Sequence, residues 1–247
     1  MLVAMLRTLL DGLGDLVFPY NCILCSRYVT DPDKSRPQLC PQCLAAIEFN
    51  GPPFCLRCSR RLEIYSPEGL CLTCLKYPAV FDSAWGAVVY TPPVQKLLHL
   101  FKYHQRTGVR KIFRHFLEEF FDRYPTSFNT FDYLMPMPLH PVRLRERGFN
   151  QAELLTRIVS EKFDIPILSN VLVRQRLTQP QSFLGQKERW TNLEGAFTIK
   201  RPFNINNYSI LLVDDLLTTG ATASAAAATL KEAGAKTVGL LVVALAP

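Results

Sequence analysis

Ser209-Ile-Leu-Leu-Val-Asp-Asp-Leu-Leu-Thr-Thr-Gly-Ala-Thr222 decides the fold of this 247-residue chain. Ser209–Val213 is a short, continuous apolar run, the pattern of a strand buried on both faces of a parallel sheet. Two adjacent acids and a Thr/Gly turn follow. Thr222–Ala233 then reads as an Ala-rich helix stopped by Gly234, and Lys236–Leu245 as the next strand. Strand, loop, helix, strand is a βαβ unit, and in such sheets ligands bind beyond the carboxyl ends of the strands, where Asp214 is expected to fall.

Each part of the loop has a chemical use. A helix N-terminus presents unpaired N–H groups and a positive dipole end, which suit a phosphate dianion. Thr218, Thr219 and Thr222 add hydroxyl donors, while Gly220 permits close backbone approach. Asp214 and Asp215 would repel phosphate, so their partners must be sugar hydroxyls or a cation such as magnesium. An ordinary N-capped helix after a strand would not need two acids and three threonines in the nine residues from Asp214 to Thr222.

Along Ile210–Thr222 the sequence resembles the type I phosphoribosyltransferases, whose thirteen-residue diphosphate-sugar signature it matches throughout. The resemblance implies that Asp214 and Asp215 hold the ribose hydroxyls of phosphoribosyl diphosphate with magnesium. It implies that the loop Leu217, Thr218, Thr219, Gly220, Ala221 and Thr222 holds the 5′-phosphate.

Upstream, Ala84–Tyr90 and Phe131–Met137 read as strands, with helices at Val94–His104, Val109–Tyr124 and Gln151–Phe163 and a further strand at Gly195–Lys200. This alternation extends the βαβ unit to a doubly wound sheet. Residues 20–80 have no sustained helical or strand period and are rich in Cys, Pro and Arg, as expected where metal rather than core burial supplies stability.

All eight cysteines fall in Cys-x-x-Cys pairs: Cys22/Cys25, Cys40/Cys43, Cys55/Cys58 and Cys71/Cys74. Two pairs complete a tetrahedral Cys₄ site, so four pairs predict two closed, structural zinc sites. Consecutive pairing closes the shorter loops and is preferred to an interleaved one. Metal-bound thiolates imply a reducing compartment, and the chain is expected to be cytoplasmic. With both zinc sites loaded, the formal charge of +7 falls to about +3, so net charge argues only weakly for nucleic acid.

Leu2, Leu6, Leu9, Leu13 and Leu16 recur at helical spacing, interrupted by Arg7, Asp11 and Asp15, which predicts a docked amphipathic helix at the start. No uncharged apolar run reaches eighteen residues, so stable membrane insertion is not expected. The division expected is 1–80 for this helix and the zinc module, and 81–247 for the α/β domain.

Basic residues concentrate in Lys102–Arg114, Arg143–Arg147 and Arg174–Arg189. A diphosphate group needs such cations, and so does a nucleic-acid backbone; Lys102, Arg143, Arg145, Arg147, Arg174 and Arg189 are the candidates. His99, His104, His115 and His140 carry no catalytic motif, and each reads as packed or solvent-facing. Tyr103 could stack a base, but an aromatic at helical spacing reads as core.

The segments Pro136-Met-Pro-Leu-His-Pro-Val-Arg-Leu-Arg-Glu-Arg-Gly-Phe-Asn-Gln151 and Arg174-Gln-Arg-Leu-Thr-Gln-Pro-Gln181, with Arg189 and Asn192, resemble the competence protein F (ComF) family of bacterial phosphoribosyltransferase-like proteins. With the cysteine module in front and the phosphoribosyl loop behind, the resemblance covers nearly the whole chain. It implies a type I phosphoribosyltransferase-like parallel sheet flanked by helices, preceded by a small zinc-binding module. It also places Arg174–Arg189 where related transferases carry a mobile catalytic loop, which gives Arg176 a catalytic role beside Asp214 and Asp215. A role in uptake of transforming DNA is implied, with single-stranded DNA and other competence proteins as partners.

Two readings share these motifs. One is a transferase passing phosphoribose to an acceptor; the other is a non-catalytic, single-stranded-DNA-binding protein that keeps the site as a sensor or scaffold. Base-specific transferases declare their acceptor in a separate hood segment, and the zinc module in its place shows no obvious base pocket in the sequence.

Overall fold

A computed structural model describes residues 20–29, 38–63, 66–103, 107–126, 128–176, 193, 195–200 and 203–247. The helix expected at the start, Arg189 and Asn192 lie outside them. The central element is a four-stranded parallel sheet of β1 (Ser83–Val89), β2 (Tyr133–Pro136), β5 (Ser209–Leu217) and β6 (Thr237–Leu245), in the order β1-β6-β5-β2. Leu134 donates to Pro166 O and accepts from Leu168 N, which extends the sheet beyond β2 by one short parallel bridge.

β5 is buried on both faces, as its apolar run requires. Leu211 and Val213, with Leu241 and Val243 of β6, join a Phe-rich core under α3 (Pro92–Tyr103), α4 (Thr107–Arg123) and α6 (Gln151–Phe163). Ile210 and Leu212, with Leu240 and Val242, join the opposite core under α7 (Ala221–Glu232). Alanines at 221, 223, 226 and 227 are buried there, and their small side chains let α7 lie close on the sheet.

Two expectations are corrected. β5 does not end at Val213 but runs to Leu217, because β6 offers an unbroken partner: Asp214 pairs with Val242 and Leu217 with Leu245. The acids therefore lie within the strand's last turn of pleat, not beyond it. The strand expected at Gly195–Lys200 is β4 (Phe197–Ile199), and it leaves the main sheet to pair antiparallel with β3 (Leu172–Arg174).

The cysteine module is built twice on one plan. Cys22 N donates to Arg27 O and Ser26 N to Cys22 O; Cys55 N donates to Arg60 O and Ser59 N to Cys55 O. Ser26 and Ser59 both sit at φ 60°, the left-handed step that turns each Cys-x-x-Cys loop back on itself. The second pair of each set opens a short helix, α1 (Pro41–Ala45) after Cys40 and α2 (Leu72–Lys76) after Cys71. Between the two copies, Asn50 N donates to Ala87 O and Val89 N to Glu48 O, so this segment covers the open edge of β1.

Candidate functional site

Strand alternation sends the two acids of the loop to different surroundings. Asp214 lines a small cavity of about 50 Å³ with Thr218, Gly220 and Thr222. Gly220 caps α7 at φ 84°, a left-handed conformation that a Cβ would strain, and Thr219 Oγ1 accepts from Ala221 N at 3.4 Å. Acid, hydroxyls and the helix N-terminus thus converge on one pocket. Asp215 is buried on the other face, where Lys102 Nζ, from the end of α3, lies 2.6 Å from its Oδ2.

The electrostatics follow from this placement. Burial, then the charge of Asp215, pushes the Asp214 carboxyl up to about 7, against the opposing pull of its hydrogen bond from Asp215 N and of Lys102. Burial works against the charge of Lys102, but Asp215, and at longer range Asp214, outweigh it and hold the ammonium above its ordinary pKa. Arg174 shifts downward, first because it is buried and then because Arg143 repels it, while Asp214 acts the other way. Lys102 and Arg174 therefore both belong to the electrostatic neighbourhood of the acids, while Arg143 acts on Arg174 and pairs with Glu146 at 2.8 Å.

The connection after β2 contains a further helix, α5 (Pro141–Arg147). His140 caps it by accepting from Val142 N at 3.3 Å, and Gly148 ends it at φ 76°. Asn150 then caps α6 by accepting from Ala152 N, and donates to Met137 O, tying the helix start to the end of β2. Arg147 donates to the buried Gln151 and lies over the Tyr103 ring at 5.4 Å.

Tyr103 is 57% exposed, so the core reading of this residue is corrected: it sits at the last position of α3, past the buried stripe of Val94, Leu97, Leu98 and Phe101. The first basic cluster divides. Lys102 faces the acids, whereas Arg110 and Arg114 pair with Glu161 on the helical surface. Arg145 and Arg176 are both exposed.

The sulfurs of Cys22, Cys25, Cys40 and Cys43 lie within 4.8 Å of one another, and so do those of Cys55, Cys58, Cys71 and Cys74. Pairing is consecutive. Cys25 and Cys40 sulfurs are 3.7 Å apart and Cys58 and Cys71 sulfurs 3.6 Å. A tetrahedron of Zn–S bonds near 2.3 Å needs roughly 3.8 Å between sulfurs, so both cages fit zinc. Cys71 N also donates to Cys55 Sγ at 3.3 Å, the kind of outer contact that orients a metal-bound thiolate.

Fold, sulfur cages and strand–loop–helix site together define a zinc-ribbon protein with a phosphoribosyltransferase-type domain. Family models agree: a double zinc ribbon domain matches residues 13–75, and a phosphoribosyl transferase domain matches residues 150–247. Competence protein F of Haemophilus influenzae is 30% identical over 220 residues, covering 88% of this chain and 93% of that protein. DNA utilization protein YhgH of Shigella flexneri is 31% identical, with 88% and 86% covered. The chain belongs to the competence protein F family. Among solved structures, adenine phosphoribosyltransferase from Leishmania tarentolae aligns with a TM-score of 0.36 and 15% identity, over 59% of this chain and 74% of that one, a likeness too loose to bear on the site.

Proposed function

We propose that this protein binds phosphoribosyl diphosphate with magnesium at the β5–α7 loop, and that it does so in the handling of DNA during natural competence. One observation carries the reading: Asp214, Thr218, Gly220 and Thr222 line a single pocket at a helix N-terminus, with the charges of Lys102 and Arg174 coupled to the acids. The loop Leu217–Thr222 would hold the 5′-phosphate, Asp214 the ribose hydroxyls, and the cations the diphosphate. Magnesium would offset the charge that the diphosphate brings to the acids. Asp215, neutralised by Lys102 when no ligand is present, becomes available to the sugar or metal once diphosphate draws the ammonium away.

The DNA part of the reading comes from the relatives, one named as a competence protein and others as DNA utilization proteins. A single-stranded nucleic acid is favoured by one surface. There the exposed Tyr103 ring, with Arg147 against it, lies beside the basic helix α5 and offers a stacking face next to phosphate-binding cations.

Phosphorus NMR tests the ligand directly. Addition of zinc-loaded protein and magnesium should shift and broaden the 5′-phosphate and diphosphate resonances of phosphoribosyl diphosphate together. Unchanged resonances at protein concentrations well above the ligand's would refute the site.

A further inference from the structure

Two sulfur cages built on one plan face different parts of the α/β domain. Cys22 and Cys40 of the first are buried with the Phe-rich core of α3 and α4. Cys55, Cys58 and Cys74 of the second are buried in the opposite core, with Leu217 and Ala221 of the phosphoribosyl loop. The matching hydrogen bonds Cys22 N to Arg27 O and Cys55 N to Arg60 O align the two turns residue by residue. Arg57 therefore stands where the first turn has Leu24, and Arg60 where it has Arg27. In the first turn Arg27 is exposed, and Leu24 O accepts from Lys96 Nζ of α3 at 2.5 Å.

In the second turn both arginines reach the phosphoribosyl loop through one intermediate. Arg57 Nη1 donates to Phe81 O at 2.9 Å. Phe81 is buried, and a Cβ built on Gly220 would meet its ring at 3.6 Å, so the ring covers the open side of the glycine that caps α7. Next to it, Val80 N donates to the buried Ser224 hydroxyl at 3.3 Å, and Ser224 N donates to Gly220 O at 2.8 Å. Arg60, itself buried, donates from Nε to Ala246 O at 2.8 Å, and Ala246 N donates to Leu217 O at 2.9 Å. The loop is thus held at its first residue, Leu217, and at Gly220, where α7 begins.

A phosphate bound by backbone N–H groups needs those groups kept in one geometry, and a short turn keeps it when both of its ends are fixed. We propose that the second zinc cage positions the phosphoribosyl loop, with Arg57 and Arg60 as positioning residues acting through Phe81 and Ala246, and that the first cage has no part in this. Metal closes the cage and fixes the turn Cys55–Arg60 from which both arginines project. The effect on a ligand rests on the function proposed above; the hold on the loop does not.

Amide hydrogen exchange on the ligand-free, zinc-loaded full chain reads that hold directly. Arg57→Leu and Arg60→Met, each still carrying two zinc ions, should speed exchange across Leu217–Ser224 by at least about threefold and leave α6 unchanged. Lys96→Met, which cuts the contact of α3 with the first cage, should leave the loop as it is. Titrations with ribose 5-phosphate and with magnesium pyrophosphate then separate positioning from general loss of structure. Affinity for ribose 5-phosphate should fall roughly 3- to 10-fold in the two arginine variants, the scale of one hydrogen bond, while affinity for pyrophosphate stays constant. Loop exchange unchanged in both arginine variants, equal loosening by Lys96→Met, or acceleration spread evenly over α6 would overturn the proposal. Loss of zinc from both arginine variants would overturn it too, because the arginines would then be holding the cage and not the loop. If the wild type binds neither ribose 5-phosphate nor phosphoribosyl diphosphate, the proposed function fails, and the exchange result alone decides the hold on the loop.

Discussion

At Asp214 and Asp215 one step along the chain changes the chemistry: Asp215 is ion-paired with Lys102, whereas Asp214 is pushed by burial up to about 7. Asp214 is therefore mostly protonated at pH 6 and mostly ionised at pH 8. Sugar hydroxyls and magnesium are better served by the carboxylate, so binding releases its proton and affinity rises with pH. Between pH 8 and pH 6 the affinity for phosphoribosyl diphosphate should fall roughly tenfold. Asp214→Asn should lose that component and keep only the ligand's own phosphate titration, measured by fluorescence or calorimetry across the pH series. Lys102→Met should move the midpoint higher, because Lys102 lowers the pKa of Asp214. The residue types at this site were legible from the sequence, since two acids, three threonines and a glycine are more than a plain strand-to-helix turn needs. The pairing of Asp215 was not, because Lys102 is more than a hundred residues away and reaches the acid only once α3 packs on the sheet.

The elements divide along a similar line. The apolar runs of β5 and β6 and the helical periods of α4 and α6 were readable, although β5 extends four residues further because β6 supplies a partner for the whole of Asp214–Leu217. Helix α5 was hidden, since seven residues with a leading proline and three arginines show no apolar period. Strands β3 and β4 are three residues each, too short for pattern to tell their partner. Helix α5 enters the proposed function through Arg143 and Arg145. If the surface with Tyr103 binds single-stranded DNA, Arg143→Ala/Arg145→Ala should weaken binding alike for all sequences. It should also flatten the dependence of log affinity on log salt by about 1.4, or 0.7 per lost phosphate contact. Fluorescence anisotropy with an oligonucleotide over a salt series reads both; an unchanged slope would remove α5 from the DNA surface.

Across the whole molecule, the cysteine module and the α/β domain are joined at several places. Segment Glu48–Asn50 pairs with the edge of β1, Arg57 donates to Phe81 O, and Arg60 donates to Ala246 O. Cysteine spacing predicted the two cages because each Cys-x-x-Cys turn places two thiolates together, and the consecutive pairing agrees with the preference for closing the shorter loops. It carried no information about the surfaces the cages would present. Metal analysis should find two zinc ions per chain. Chelation should lower the melting temperature by at least about 6 °C, since losing even ~3 kcal/mol shifts a chain of this size by 2–4 °C per kcal/mol. A melting curve unmoved by complete zinc removal would contradict a structural role for the cages.

The central claim is that Asp214–Thr222 is a working phosphoribosyl diphosphate site. Its most direct test is calorimetric titration of phosphoribosyl diphosphate with magnesium into the zinc-loaded wild type and into Asp214→Asn/Asp215→Asn. Saturable binding near one ligand per chain in the wild type, lost in the double variant while its melting curve stays cooperative, is the predicted result. No heat of binding in a folded wild type, or equal affinity in the double variant, would contradict it.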